Sequence, residues 1–259
     1  MGDMTAAASI PPSLLDIRAF LLDLDGVITP TAELHRHAWG ALFTEVFRQY
    51  GVAPYEETDY FAYLDGKPRF DAVRDILASR GITLPEGTPE DAPELETVGG
   101  LGNRKNAHFF RLLDEDGIEA YPGSLDFLRA IADRSIPAAV VTSSRNGKRV
   151  LGAAGLGDRF DVIIDGVHAA ELGLPGKPAP DTYLQGAREL GLDASACAVV
   201  EDATSGVAAG RAGKFGAVIG VDRGAGHEAL EAHGATLVVD DLAELIPWLP
   251  QTATEGPHA

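Results

Sequence analysis

Cysteine is nearly missing from this chain. Its one thiol, Cys197, lies in the apolar run Ala196–Val200, where it reads as a small buried hydrophobe. A single thiol rules out any disulfide within the chain, which agrees with a reducing cytoplasm. Long apolar runs are missing too, since none approaches the roughly 20 residues that span a bilayer. Basic residues are scarce beside acidic ones, 21 Lys and Arg against 39 Asp and Glu, for a formal net charge of -18. That field repels nucleic acid and anionic membranes, so neither is expected as a partner. An anionic substrate then needs local cations or a metal to hold it. Met1 to Pro12 has no basic stretch ahead of its short Ala-rich part, so a secretory signal is not expected. The expectation is a cytoplasmic protein, and a monomer.

Apolar residues make up 45% of the 259 positions and charged residues 23%, which is enough core for one large domain or two modest ones. The chain is organised around the run Ala19-Phe20-Leu21-Leu22-Asp23-Leu24-Asp25-Gly26. It begins as an apolar segment of the length of one fully buried strand and ends in two carboxylates. Residues i and i+2 of an extended chain share a face, so Asp23 and Asp25 can address one small volume. A buried parallel strand that ends in this way is where open α/β sheets keep their sites.

From Ala32 to Tyr50, apolar residues recur at helical spacing (Leu34, Ala38, Leu42, Phe43, Val46, Phe47), and further helices are expected over 70–79 and 103–116. Between those two, the acidic, Pro- and Gly-rich stretch 84–100 reads as a surface loop. No strand signal occurs from 33 to 118. After Tyr121-Pro122-Gly123, apolar runs at 138–141, 162–164, 196–200, 217–221 and 235–239 alternate with helices near 124–134, 147–155, 179–191, 204–212, 226–233 and 241–247. That alternation means βαβ units and a parallel sheet. The predicted architecture is a doubly wound, Rossmann-like α/β core (18–32 and 119–250) interrupted after its first strand by an all-helical domain (33–118). Residues 1–17 and 251–259 are expected as loose termini.

Three further stretches fall at predicted strand ends. In Thr142-Ser143-Ser144-Arg145-Asn146-Gly147, hydroxyls and a helix start can hold a phosphoryl group, or they can simply cap the helix. In Gly176-Lys177-Pro178-Ala179-Pro180-Asp181, two prolines fix the backbone around one lysine, whose ammonium suits a carboxylate or a phosphoryl oxygen. In Val199-Val200-Glu201-Asp202, a buried strand again runs into adjacent acids, which are costly there unless paired or metal-bound. Together with Asp23 and Asp25 they form the oxygen-rich cluster that Mg²⁺ prefers.

These stretches resemble the four motifs of the haloacid dehalogenase (HAD) superfamily: Asp23-Leu24-Asp25-Gly26, Thr142, Lys177 and Glu201-Asp202. Within it, the chain is similar to the β-phosphoglucomutase-like subfamily through Thr31-Ala32-Glu33-Leu34-His35, Trp39, Gly66 with Arg69, Arg104-Lys105-Asn106, Tyr121-Pro122-Gly123 and Ser143 to Gly147. The resemblance covers about 18–245 and implies a HAD core with a helical cap. It implies a Mg²⁺-dependent enzyme in which Asp23 is the nucleophile that forms an aspartyl phosphate and Asp25 the general acid/base. Asp23, the Asp25 carbonyl, Glu201 and Asp202 would hold the metal, while Thr142, Ser143 and Lys177 would bind the transferring phosphoryl group. Arg69, Ser144, Arg145 and Asn146 would grip the other phosphate of a sugar phosphate, and His35 with Lys105 would couple cap closure to Asp25.

The expected reaction interconverts β-glucose 1-phosphate and glucose 6-phosphate. The alternative is a phosphatase of a small sugar phosphate that uses the same Asp23. A dehalogenase would need neither Asp25 nor Glu201-Asp202, and a non-catalytic sugar-phosphate-binding regulator would not need every chemical position filled. Pro30 and Asp65 depart from the subfamily pattern, which usually has an acid and a base there, and Thr142 replaces a serine.

Overall fold

The computed structural model describes Leu14 and residues 16–249. Apart from Leu14, Asp16 and Ile17, the expected termini 1–17 and 251–259 lie outside the described residues. Strands β1 (Ala19–Leu22), β2 (Ala138–Val141), β3 (Val162–Ile164), β4 (Cys197–Glu201), β5 (Ala217–Val221) and β6 (Leu237–Val239) pair in parallel, in the order β3-β2-β1-β4-β5-β6. Alternate side chains of a strand leave by opposite faces. Phe20 and Leu22 therefore pack with Phe127, Ile131 and Leu245, whereas Ala19 and Leu21 pack with Tyr183 and Val207. Helices cover both faces, so the strands read as unbroken apolar runs. One face carries α5 (Pro122–Asp133); the other carries α8 (Asp181–Glu189) and α9 (Thr204–Ala212). Cys197 is buried at the start of β4, and burial first, with Asp193 adding, pushes its thiol up to about 11.

The chain leaves β1, extends the sheet to one side through β2 and β3, then crosses to the other side with β4. Ligand crevices of open α/β sheets form where the order reverses in this way, here at the ends of β1 and β4. Leu22 is in register with Val200, so Asp23 and Glu201 leave the sheet side by side.

Between β1 and β2 stand α1 (Thr31–Tyr50), α2 (Glu57–Asp59, widening into a π turn over Tyr60–Leu64), α3 (Arg69–Ser79) and α4 (Val98–Asp116). They enclose a separate apolar cluster that includes Trp39, Phe43, Phe47, Leu64, Ile76 and Leu101. Helix α4 begins five residues earlier than the sequence predicts, because Gly99 and Gly100 disguise its first turn. These positions need glycine for close approach: a Cβ would stand 2.1 Å from the Thr88 carbonyl oxygen at Gly99 and 2.2 Å from that of Leu95 at Gly100. Thr97 caps the helix by accepting from the Gly100 N–H at 2.9 Å.

Helix α2 and a short α7 (Gly166–Glu171) were not expected. The latter is capped by Asp165, whose Oδ1 accepts from the Val167 and His168 N–H groups. The remaining helices are α6 (Gly147–Ala153) and α10 (His227–His233), while the helix expected at 241–247 is a 3-10 turn over Leu242–Trp248. Among the described residues no helix is long and apolar enough to cross a membrane.

Candidate active site

Asp23, Asp25, Thr142, Lys177, Glu201 and Asp202 meet at the C-terminal edge of the sheet, although they are scattered over 180 positions of sequence. Lys177 is almost wholly buried. Its Nζ donates to Asp23 Oδ1 at 2.5 Å, to Glu201 Oε1 at 2.6 Å and to the Val141 carbonyl at 3.1 Å. The other Asp23 oxygen accepts from the Asp25 N–H at 2.9 Å. Glu201, expected among the metal ligands, has both oxygens engaged: Oε1 also accepts from the Tyr183 hydroxyl at 3.0 Å, and Oε2 accepts from the Ala203 N–H at 3.0 Å. Gly26, at φ 90°, lets Asp202 come in tightly, since a Cβ there would lie 1.8 Å from Asp202 Oδ2.

The carboxylates outnumber the cations at this edge. Burial above all, then the charges of Asp65 and Glu201, pushes the Asp202 carboxyl well above its ordinary range. Asp23 is raised mainly by burial, with Lys177 opposing and Glu201 and Asp25 adding. Burial and then Glu201 bring Asp65 to about 7. Burial alone would lower Lys177, but Asp23 and Glu201 outweigh it and raise the ammonium. A divalent cation would relieve this arrangement, and hard carboxylate and carbonyl oxygens are the donors Mg²⁺ takes.

Asp25 has different surroundings. One oxygen accepts from Thr31 Oγ1 and the other from Thr142 Oγ1 at 3.2 Å. His35 Nε2 lies 3.3 Å from Asp25 Oδ1, and Lys105 Nζ contacts His35 Nδ1. With Lys105 donating to Nδ1, the ring proton sits on Nε2, facing Asp25. Burial works to raise the Asp25 pKa, but His35, Thr31 and Lys105 outweigh it and hold it near 2. The His35 ring stacks on Phe109 with centroids 4.2 Å apart, and Lys105 Nζ lies 4.9 Å from the centre of Trp39. Burial first, then neighbouring cations, lowers both His35 and Lys105.

The far wall of the cleft is cationic. Arg69 donates to Asn106 Oδ1 at 2.8 Å and to Asn103 Oδ1 at 3.3 Å, and Asn146 Nδ2 donates to the same Asn106 oxygen at 2.7 Å. Among the described residues, neither Arg69 nor Arg145 is ion-paired with a carboxylate. Burial, then the charge of Arg145, brings Arg69 down to about 10. The Ser144 N–H donates to Thr142 Oγ1 at 3.0 Å, and Ser144 Oγ accepts from the Asn146 N–H at 3.2 Å. The Ser143 hydroxyl donates instead to the Gly66 carbonyl at 2.8 Å. The space between the two ends is about 620 Å³, counted to its open mouth.

A profile of haloacid dehalogenase-like hydrolases matches residues 17–214. The β-phosphoglucomutase of Mycobacterium bovis is 47% identical over 241 residues, covering 89% of this chain and 92% of that protein. The chain belongs to the haloacid dehalogenase-like hydrolase family. Hexitol phosphatase A of Escherichia coli is 30% identical, over 75% of this chain and 79% of its own length. Among solved structures, β-phosphoglucomutase from Clostridium difficile superposes with a TM-score of 0.71 at 28% identity, covering 88% of this chain and 93% of that one.

The HAD chain brings the sequence-predicted site residues to this one cleft, Lys177 from a buried position against Asp23 and Glu201, and it adds residues that carried no assigned role. Thr31 opens the stretch that leads to His35, and its hydroxyl binds Asp25. Asn103 and Asn106 fix Arg69; Asn106 was noted beside Lys105 but given no task. Tyr183 follows the lysine stretch and secures Glu201. Asp65, noted only as a departure from the subfamily, lines the cleft next to Asp202.

Proposed function

We propose that this HAD chain is a Mg²⁺-dependent sugar-phosphate phosphotransferase that interconverts β-glucose 1-phosphate and glucose 6-phosphate. The observation that supports the reading is that one cleft is lined by two sets of groups suited to anions, Thr142 beside Asp23 and Asp25, and Arg69 with Ser144, Arg145 and Asn146. A phosphatase needs one; a substrate that turns round between two phosphorylated positions needs both. At the sheet edge, the Asp23 carboxylate attacks phosphorus and takes the phosphoryl group as an aspartyl phosphate. Lys177 and Thr142 hold the phosphoryl oxygens. Asp25, kept as a carboxylate by its donors, is in the form that takes the proton from an attacking sugar hydroxyl, and once protonated it returns that proton to a leaving oxygen. Arg69, with Ser144, Arg145 and Asn146, holds the phosphate that does not react, and Arg binds phosphate well through its planar fork.

Mg²⁺ would be held by Asp23, Asp202 and the Asp25 carbonyl, with Glu201 fixing Lys177 beside them, and it would supply charge neutralisation between an anionic nucleophile and an anionic phosphoryl group. Residues 33–118 act as a cap over the core formed by 18–32 and 119–250. When the cap closes, His35 and Lys105 approach Asp25 and water is kept out.

The likeness to a hexitol phosphatase favours a second reading, in which the same aspartyl phosphate passes to water. One experiment separates the two. The protein is given β-glucose 1-phosphate, Mg²⁺ and a trace of the 1,6-bisphosphate, and glucose 6-phosphate and free phosphate are measured side by side. Glucose 6-phosphate in large excess is expected; free phosphate alone overturns the mutase and leaves the phosphatase. Asp23→Asn should abolish turnover while sugar phosphate still binds, which excludes a purely regulatory role.

A further inference from the structure

The turn that joins α2 to α3, residues 65–68, is seated on the core by two hydroxyls that no step above uses. Ser143 Oγ donates to the Gly66 carbonyl at 2.8 Å, and Ser205 Oγ donates to the neighbouring Asp65 carbonyl at 3.1 Å. Ser143 lies on the loop after β2, and Ser205 in the first turn of α9 after β4. The two serines therefore grip consecutive peptide groups from opposite sides of the reaction centre. The fit is close. Gly66 has φ 68°, and a Cβ on it would lie 2.3 Å from Ser205 Oγ and 2.9 Å from Ala203 Cβ. On a third side, a Cβ on Gly176, next to Lys177, would lie 2.2 Å from Pro68 Cγ.

What this turn carries makes its position matter. Asp65 enters the cleft from it, and Arg69 opens α3 one residue beyond Pro68. A lift of the turn moves the second phosphate grip and opens a gap above Asp23 together.

We propose that Ser143 and Ser205 are positioning residues, a two-point latch that holds the cap turn down and so determines whether the phosphoryl group goes to sugar or to water. This inference rests on the phosphotransferase reading. In either outcome the P–O bond to Asp23 breaks, a new P–O bond forms to a hydroxyl oxygen, and the hydroxyl proton goes to Asp25. Only the identity of the acceptor oxygen differs, and the latch controls which acceptor is present. Neither serine belongs to an apolar cluster, so removal of its hydroxyl leaves the cores packed.

The test uses the full chain with Mg²⁺ and compares wild type with Ser143→Ala, Ser205→Ala and the double variant. The first readout is free phosphate released per glucose 6-phosphate formed. Each loss of one hydrogen bond should raise that ratio roughly three- to tenfold, and the double variant should raise it further. Gly66→Ala, which pushes the turn off the core from its own side, should raise the same ratio with both serines intact. An unchanged ratio in the double variant overturns the latch. The second readout is amide hydrogen exchange over residues 60–70, which should speed up by a similar factor. Should wild type form no glucose 6-phosphate, the mutase reading has failed, and exchange alone decides: faster exchange in the variants keeps the latch, and equal exchange overturns it.

Discussion

Replacing Arg69 with alanine should separate the two ends of the cleft. Its guanidinium is held by neutral acceptors, Asn106 at 2.8 Å and Asn103 at 3.3 Å, and no carboxylate among the described residues cancels its charge. Burial and the nearby Arg145 have already brought it down to about 10, so the folded protein holds this charge at a cost. An arginine placed in that way gains most from an anionic ligand. Hydrogen bonds to charged groups contribute about 1.5–3 kcal/mol, which corresponds to a loss of roughly 10- to 150-fold in kcat/KM for β-glucose 1-phosphate.

A phosphorylated compound with no second anion, such as acetyl phosphate, occupies only the Asp23 end. Its Mg²⁺-dependent hydrolysis should change by less than about threefold in the same variant. Folding should be unharmed, because the substitution relieves repulsion at Arg145 and breaks no ion pair. Glucose 6-phosphate formation and acetyl phosphate hydrolysis are measured on the same preparation. Equal losses on both substrates, or none on the sugar phosphate, would refute the assignment of two separate grips.

Two further outcomes follow from the charge imbalance at the sheet edge. Lys177→Met leaves Asp23 and Glu201 facing each other without their shared cation and should cost about 3–5 kcal/mol of stability. Urea unfolding in a chelator should show a larger loss at pH 8 than at pH 5.5, where Asp23, raised by burial, takes up a proton more readily, and a loss independent of pH would refute the account. Asp65 binds its proton more tightly folded than unfolded, with a pKa moved from 3.8 to about 7. Its relative contribution is thus fully present below pH 3.8 and is lost as pH rises through 7, by at most about 4 kcal/mol. Asp65→Asn should therefore raise the melting temperature of metal-free protein at pH 8 and leave it nearly unchanged near pH 4; an equal effect at both refutes the assignment.

The sheet and its site were legible in the sequence for one physical reason. A strand buried on both faces is written as an unbroken apolar run, so Asp23, Thr142 and Glu201 stand out where each run stops. The parallel arrangement then brings those stops to one edge without further information. The helical insert was legible only in outline. The start of α4 was hidden because close approach to Thr88 and Leu95 demanded glycines that helix propensity disfavours. Helix α7 is six residues long, too short for periodicity to register, and only Asp165 before it signalled a cap. The partners of Arg69 were out of reach for another cause. Asn103 and Asn106 lie more than 30 residues beyond it, and no local rule links an arginine to a distant amide. Asp65 shows the reverse case: its departure from pattern was visible, but not that it lines the cleft and its charge bears on Asp202.

For a chain of net charge -18, the proposed sugar-phosphate substrate requires segregation of charge within the cleft. Asp23, Glu201 and Asp202 come from the ends of the core strands, whereas Arg69 and Lys105 come from the insert and Arg145 faces them. The two ends should therefore depend differently on the metal. On the proposed reading, chelation should leave the excess of buried carboxylates without its metal and stop chemistry at Asp23, yet remove nothing from the cationic wall. In EDTA, glucose 6-phosphate should still bind wild type, weakened roughly tenfold by repulsion from the bare carboxylates. Binding should weaken further with added salt, since the remaining attraction is electrostatic. Arg69→Ala should lose that metal-free binding altogether. Isothermal titration of both proteins, with and without Mg²⁺, reads all of this directly. If chelation abolishes binding as completely as it abolishes turnover, the cationic wall is not an independent grip, and the case for a substrate held at both ends falls with it.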